Sequence, residues 1–477
     1  MTVSIKSIVK NAYDNWKDKN FAIEKNDGEN VATSYGEFLR KADAVAKELV
    51  RMGLKGKNIL LISENSVDFC IADLAVTAFV GAVVNLSCQT KSQELADVIK
   101  TTCSSAVIYG EYPEKEVEKI RHEFTDVTFI SIGDLTARKT AGDDLFDFEE
   151  KDENACSKII FSSGTTSEPK GIMLSVKNIF YGRKYLQMRA PFYSTDIMFM
   201  CLPLHHTYAN VCLLYYTLMS GLCLYFCSDK SQIAKELLEI QPDLFCGVPM
   251  IYRKLYESYT DRIGEAFGKN IRYMFSSGTR FDPELRKKYK QAGLPLVEAY
   301  AQTETASAFS IEYPNSDDYE SVGTVFEDLD VMIKNPNETG EGDIAVKGDN
   351  VFLGYINNEK LTQSVFDSDG YFLTNDVGYL DGRKLYVVGR KGDVMIGENG
   401  ENVYPREIEK KLRSMCDGIV KLQSDIVDNK LFYTVFVREN STEDIEKMIK
   451  VYNSMSTKKD MIKFYKIIYT NKDNIKG

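Results

Sequence analysis

Helix-like and strand-like stretches alternate along the first part of this chain, and no other feature of the sequence constrains its fold more. "SYGEFLRKADAVAKELVRMG" opens at Ser34, an N-cap residue, with Glu37 three positions on at the spacing of a capping box. Phe38, Ala42, Val45, Leu49 and Met52 then recur at helical spacing, and Gly53 supplies a stop. "NILLIS" (58–63) follows as a short apolar strand, then another helix, then "AVVNL" (82–86). Such alternation predicts parallel-sheet α/β layers. A chain of 477 residues outgrows one core, so two or three domains are expected. Repeats and low-complexity segments are absent from it.

Later segments change character. "GTVFEDLDVMIKN", "GDIAVKG" and "GYFLTNDVGYLDGRKLYVVGR" are short strands punctuated by Gly, Asn and Asp, the pattern of an antiparallel β unit. Past Arg390, Gly392, Gly397 and Gly400 loosen the backbone, and Pro405 suits the first turn of a helix. The expected organisation is a large domain over 1–390, with layered α/β sheets plus a β unit. A small, lysine-rich α+β domain over 391–477 is expected to follow it.

Composition narrows the function. At 44% hydrophobic and 27% charged residues the chain is globular, and a net charge of -11 argues against a nucleic acid or an anionic membrane surface as main partner. The 10 cysteines form no C-x-x-C pair, and Cys223 and Cys227 lie in an apolar run, as buried free thiols do. With no signal-peptide pattern at the start, a reducing cytoplasm is the expected location. Two stretches imitate membrane spans. The one over 69–88 holds Asp73, Asn85 and Gly81 and reads better as a buried helix running into a strand. The one over 201–227 holds Pro203 and two histidines, so neither is expected to cross a bilayer.

Candidate chemistry begins at "FSSGTTSEPKG" (161–171). Loop amides with Ser and Thr hydroxyls make a concave donor surface for phosphate oxygens, and Lys170 adds a charge-assisted bond. The common nucleotide loop G-x-x-x-x-G-K-[ST] is not matched, because Pro169 occupies the place of its second glycine. Four further islands fit nucleotide chemistry. "LPLHHTY" carries His205 and His206, two of only 3 histidines, and "SSGTRFDPEL" (276–285) is another small-residue turn after a strand. In "EAYAQTET" (298–305), Tyr300 can stack on a purine, Thr303 can reach a phosphate and Glu304 can hold Mg²⁺. Asp376 and Arg390 can accept from and donate to ribose hydroxyls. Each island has an ordinary reading as core aromatic, turn or surface charge; their order along one chain decides against it.

That order resembles the adenylate-forming (AMP-binding) superfamily of acyl-CoA synthetases, luciferases and peptide-synthetase adenylation domains, nearly end to end. "FSSGTTSEPKGIML" is similar to its phosphate loop, "YAQTET" to its adenine and magnesium motif, and "TNDVG" with "VGRKGD" to its ribose pair. "ENGENVYPREIE" is similar to the motif lining its thiol tunnel, and "LPLHHTYA" and "NGENVYPREIE" most resemble fatty and related acyl-CoA ligases. The resemblance implies ATP, Mg²⁺ and either CoA or a carrier-protein phosphopantetheine. It places the nucleotide on Ser162, Ser163, Gly164, Thr165, Thr166, Lys170, Ser277, Gly278, Thr279, Tyr300, Ala301, Thr303, Asp376 and Arg390. Thr166 and Glu304 would hold the metal, and His206 would lie beside the acyl carboxylate with His205 as its structural neighbour.

Implied too is a two-step reaction: a carboxylic acid is adenylated with release of pyrophosphate, then passed to a thiol while the small domain turns about a hinge near 391–393. Amino acids are disfavoured, since "LPLHHTYA" lacks the aspartate that amino-acid-activating relatives use. Departures from the family are Ser167, Ala301 and Asn375, each where a glycine is usual. At the tail Asn474 aligns with the usual catalytic lysine, while Lys472 and Lys476 lie two residues to either side, roughly 6–7 Å away on an extended chain. CoA ligase, carrier-protein ligase and a nucleotide- or acyl-binding pseudoenzyme stay open at this point. So do the acid and the oligomeric state.

Overall fold

Ser34 caps the first long helix, Tyr35–Arg51, its hydroxyl accepting the Glu37 N–H at 3.1 Å. Only this half of the capping box forms, because the Glu37 carboxylate turns instead to Lys41 one turn on, at 3.1 Å. Phe38, Ala42, Val45 and Leu49 are buried as their spacing predicts, and Met52 sits half-buried at the C-cap. Full burial of Phe38, Val45 or Leu49 contributes about 1.5–3 kcal/mol each. Gly53 ends the helix at φ +78°, where a side chain would be strained.

The computed structural model describes residues 4–137, 145–162, 170–391, 395–396, 402–427, 430–439, 441, 444–456 and 460–470. Two compact units account for it. The larger comprises Met1–Asp330, Val346–Phe372 and Arg383–Leu385; the smaller comprises Val331–Ala345, Leu373–Gly382 and Tyr386–Gly477.

Within the larger unit one sheet runs in the order Gly354–Tyr355, Lys170–Ser175, Cys156–Ser162, Ala82–Leu86, Asn58–Ile62, Ala106–Tyr109, Thr128–Ser131. From Cys156–Ser162 to Thr128–Ser131 its neighbours are parallel, and the first two strands join antiparallel. Leu60, Ile62, Val84, Leu95, Ile99, Val107 and Ile159 fill its apolar core. The expected helix-to-strand run over 69–88 is present: Val67–Ala75 is helical, wider π turns cover Val76–Val80, and Gly81 leads into the strand. A Cβ at Gly81 would lie 2.0 Å from the Lys57 carbonyl oxygen, so only glycine fits.

The unit's second sheet has parallel neighbours through Asn20–Asn26, Cys223–Phe226, Ile197–Met200, Leu244–Gly247, Tyr273–Ser276 and Leu296–Ala301. Antiparallel strands flank these, Glu29–Ser34 at one edge and Ala308–Ile311 with Thr324–Val325 at the other. The stretch over 201–227 breaks into a turn, π turns at Tyr208–Tyr215, a short helix and a strand. No described helix is long and apolar enough to cross a membrane.

Between these elements lies a polar node. Asp73 and Lys158 are both 0% exposed and pair at 2.7 Å. Asn85, Asn210 and Tyr215 add hydrogen bonds to the same carboxylate at 2.9, 3.0 and 2.7 Å. A buried charge is tolerated only when paired and bonded in this way.

The smaller unit holds the bodies of four strands, Asp330–Lys334, Gly342–Lys347, Phe372–Asp381 and Lys384–Arg390, bonded in that order. Its C-terminal part is α+β. Helices Pro405–Met415 and Ile445–Met455 pack with the three-stranded sheet Ile419–Val427, Lys430–Arg438, Phe464–Thr470. The core there is built from Ile408, Leu412, Tyr433, Val435, Ile449 and Tyr452. Pro405 occupies the first helical turn, as expected from its fixed φ.

Candidate active site

Strands Cys156–Ser162 and Lys170–Ser175 are antiparallel neighbours with Ser162 paired to Lys170, so the phosphate-loop motif begins at the end of one strand and closes at the start of the next. Ser163, Gly164, Thr165, Thr166 and Ser167 lie outside the described residues. Lys170 begins the second strand half-buried, its ammonium 5.7 Å from the centre of the Tyr355 ring. Tyr355 is buried, and its hydroxyl donates to Glu304 Oε1 at 2.9 Å. The Glu304 carbonyl in turn accepts the Phe352 N–H at 2.8 Å. One tyrosine thus stands between the cation and the carboxylate. Burial and the Glu304 charge push its phenol well above the ordinary range, so it stays a donor.

Tyr355 was not legible in the sequence. It sits after Gly354, whose φ of +131° belongs to glycine, in a two-residue strand joined to Lys170–Ser175 by long-range pairing. No local motif signals that contact.

Two further groups of nucleotide candidates lie at the carboxyl ends of neighbouring parallel strands, where open α/β sheets bind ligands. Ser277, Gly278 and Thr279 follow Tyr273–Ser276; Tyr300 and Ala301 end Leu296–Ala301; the two strands pair in register at Ser276 and Glu298. Gly278 has φ +93°, and Ser277 is buried while Thr279 is exposed. Tyr300 packs edge-on against Phe309 at 5.0 Å, which fixes its ring plane. Thr303 and Glu304 lie in the helical turn that comes next. Ala301 ends its strand without a positive φ, so the backbone there does not require a glycine.

Glu298, the first residue of that motif, has a different part. It is buried, pairs with Arg286 at 2.7 Å and accepts the Phe281 N–H at 3.0 Å. It therefore ties the 277–281 turn to the neighbouring strand. Arg286 also pairs with Glu312, beside Lys290.

Asp376 and Arg390 meet within the smaller unit at 2.8 Å, the aspartate buried and the arginine side chain 58% exposed. Asn375 adopts φ +61°, the left-handed region that asparagine tolerates better than most residues, so its replacement of a glycine is accommodated.

His205 is half-buried and His206 exposed, with ring centres 4.2 Å apart. Burial pushes the His205 imidazole down to about 3, and His206 and Lys230 push the same way, so it is neutral near pH 7. The hydrogen bonds at this turn tie it to Asn65 and Asn210 rather than to the Lys170–Tyr355–Glu304 group. Gly392, Lys472, Asn474 and Lys476 lie outside the described residues.

Among the described residues no three His, Cys, Asp or Glu side chains cluster as a metal site. Mg²⁺ needs no such cage, since one or two carboxylates plus substrate phosphates and water suffice. Glu304, with one oxygen bonded to Tyr355, fits that demand.

The chain is 23% identical over 492 residues to the long-chain-fatty-acid–CoA ligase ACSBG2 of Gallus gallus, covering 87% of this chain and 64% of that protein. It therefore spans less than two thirds of that relative's length. To the 2-succinylbenzoate–CoA ligase of Enterococcus faecalis it is 24% identical over 369 residues, covering 75% of this chain and 73% of that one. Its fold is similar to that of ATP-bound MatB from Rhodopseudomonas palustris, with TM-score 0.83, 24% identity, and 99% and 95% of the two chains covered. It is also similar to that of the o-succinylbenzoate coenzyme A synthetase MenE from Bacillus subtilis in complex with ATP and magnesium ion. There the TM-score is 0.81 at 20% identity, with 98% and 96% covered. The family model for AMP-binding enzymes matches residues 9–356, most of the chain, and this chain belongs to that family.

Proposed function

We propose that this protein is an AMP-forming acid–thiol ligase: it joins a carboxylic acid to the α-phosphate of ATP, releases pyrophosphate, and passes the acyl group to the thiol of CoA. The Lys170–Tyr355–Glu304 group, which includes the lysine that closes the phosphate-loop motif, carries this reading. A carboxylate and a triphosphate are both anions, so their encounter requires positive charge and aimed donors rather than a protein nucleophile. Lys170 supplies one fixed charge. Mg²⁺, when bound by Glu304 and Thr166 together with the phosphates, supplies the other and polarises them. Tyr355 holds Glu304 in orientation. Ser277, Gly278, Thr279, Tyr300, Ala301 and Thr303 frame the nucleotide, and Asp376 with Arg390 recognises the ribose hydroxyls.

The named relatives activate acids onto CoA, which supports CoA as the acceptor. The acid is hydrophobic and not an amino acid in this reading, since the segment after His206 is mostly buried and apolar: Ala209, Val211, Leu213, Leu214. All ten cysteines are free, which suits a reducing cytoplasm.

Incubation with ATP, Mg²⁺ and a panel of acids, followed by measurement of pyrophosphate, tests the first step. Mass spectrometry after addition of CoA or a phosphopantetheine carrier tests the second. Pyrophosphate with an apolar acid and an acyl-CoA product are expected. Failure to release pyrophosphate with any acid would leave a binding protein, and transfer to the carrier alone would replace CoA.

A further inference from the structure

The turn bearing the two histidines is held by side chains that the nucleotide chemistry does not use. Asn65 grips it twice: Oδ1 accepts the Leu204 N–H at 2.8 Å and Nδ2 donates to the Leu202 carbonyl at 2.8 Å. From the other side Asn210 Nδ2 donates to the Leu204 carbonyl at 3.1 Å and to Asp73 Oδ2 at 3.0 Å. Both peptide groups of Leu204 are thus fixed by asparagine amides, one residue before His205. The backbone continues the hold, with the His206 N–H on the Pro203 carbonyl and the Asn210 N–H on the His206 carbonyl at 2.9 Å.

Asn210 is itself anchored. Asp73 is locked by Lys158, and Lys158 belongs to Cys156–Ser162, the strand that leads into the phosphate turn. A continuous run of bonds therefore joins Lys158, Asp73, Asn210 and Leu204. Buried ion pairs contribute little net stability, and their best-attested return is a fixed register. Here the register fixed is that between the histidine turn and the strand delivering the phosphate turn.

We propose that Asn65 and Asn210 are positioning residues that hold the Leu202–His206 turn, so that His206 meets the acid at a set distance from the strand Cys156–Ser162. The proposal rests on the functional reading above. With only 3 histidines in the chain, imidazole signals from ¹³C-histidine-labelled protein resolve the turn directly, and His122 serves as internal reference. In Asn65→Ala, which removes both Asn65 bonds from a half-buried position, the His205 and His206 signals should move at pH 7.5 while His122 stays. The KM for the acid found in the pyrophosphate screen should rise about tenfold, with the KM for ATP within about twofold. Asn65→Asp keeps the acceptor for Leu204, loses the donor to Leu202, and provides the same readouts should the alanine variant not fold.

Unmoved histidine signals in a folded variant would overturn the clamp. Moved signals with an unchanged acid KM, or with both KM values rising together, would overturn its positioning role. A wild-type protein that releases no pyrophosphate with any acid would defeat the functional reading instead, and the histidine signals would still judge the clamp.

Discussion

Tyr355 concentrates the residue-scale chemistry. Its ring faces the Lys170 ammonium and its hydroxyl donates to Glu304, so one side chain touches both the cation and the carboxylate. Tyr355→Phe keeps the ring and deletes the hydrogen bond to a charged acceptor, a bond worth about 1.5–3 kcal/mol. Adenylation should slow about 10- to 100-fold with folding unchanged, and the Mg²⁺ concentration for half-maximal pyrophosphate release should rise. An unaltered Mg²⁺ dependence would show that Glu304 does not need the phenol. Lys170→Ala removes a charge from the same spot and should slow adenylation about 10²-fold or more. Pyrophosphate release at the wild-type rate would remove Lys170 from the site. Lys170, Tyr300, Thr303 and Glu304 were legible because each lies in a compact motif. Tyr355 and Asn65 were not, since each acts on a partner far along the chain, Tyr355 on Glu304 and Asn65 on Leu204.

At the scale of elements, hydrophobic spacing foretold the helix Tyr35–Arg51 and the strands at 58–62 and 82–86, because local period and burial agree there. Spacing carried no sign that Asp73 and Lys158, in otherwise apolar stretches, would pair across the core. Asp73→Asn keeps the shape and leaves Lys158 without its counter-ion, at a cost of about 3–5 kcal/mol. Adding Lys158→Met should restore part of that loss in urea unfolding; a double variant less stable than the single would refute the charge explanation. The histidine turn gives a pH test. An unfolded histidine titrates near 6.5 and His205 in the folded chain near 3. Below about pH 6.5 the unfolded chain therefore takes up a proton that the folded chain refuses, and stability falls as pH drops toward 3. His205→Asn should lose less stability than wild type between pH 7 and pH 5, measured as urea midpoints. Equal losses would show that this imidazole is not shielded.

On the scale of the whole molecule, the α/β body with a smaller α+β part was readable from the alternation of periods and the glycine-rich stretch past Arg390. That strand 372–381 lies beside 342–347 was not, because the two are neighbours across the long connection 348–371. A unit that is compact need not be the unit that rotates, so the boundary at 391 is a proposal about motion. Two half-reactions at one site require two arrangements of the groups around it, and a hinge must absorb the backbone change between them. Asp376 and Arg390 are already joined at 2.8 Å, which leaves the residues just after Arg390 as the nearest place for a pivot. Gly392 is the least restricted of them. Gly392→Pro should fix φ near -65° and confine the chain to one arrangement. Pyrophosphate release and thioester formation, assayed separately, should then part company, with one kept within a few-fold and the other reduced at least tenfold. If both proceed as in wild type, the pivot lies at Lys391 or Asp393, and proline placed at each in turn would find it.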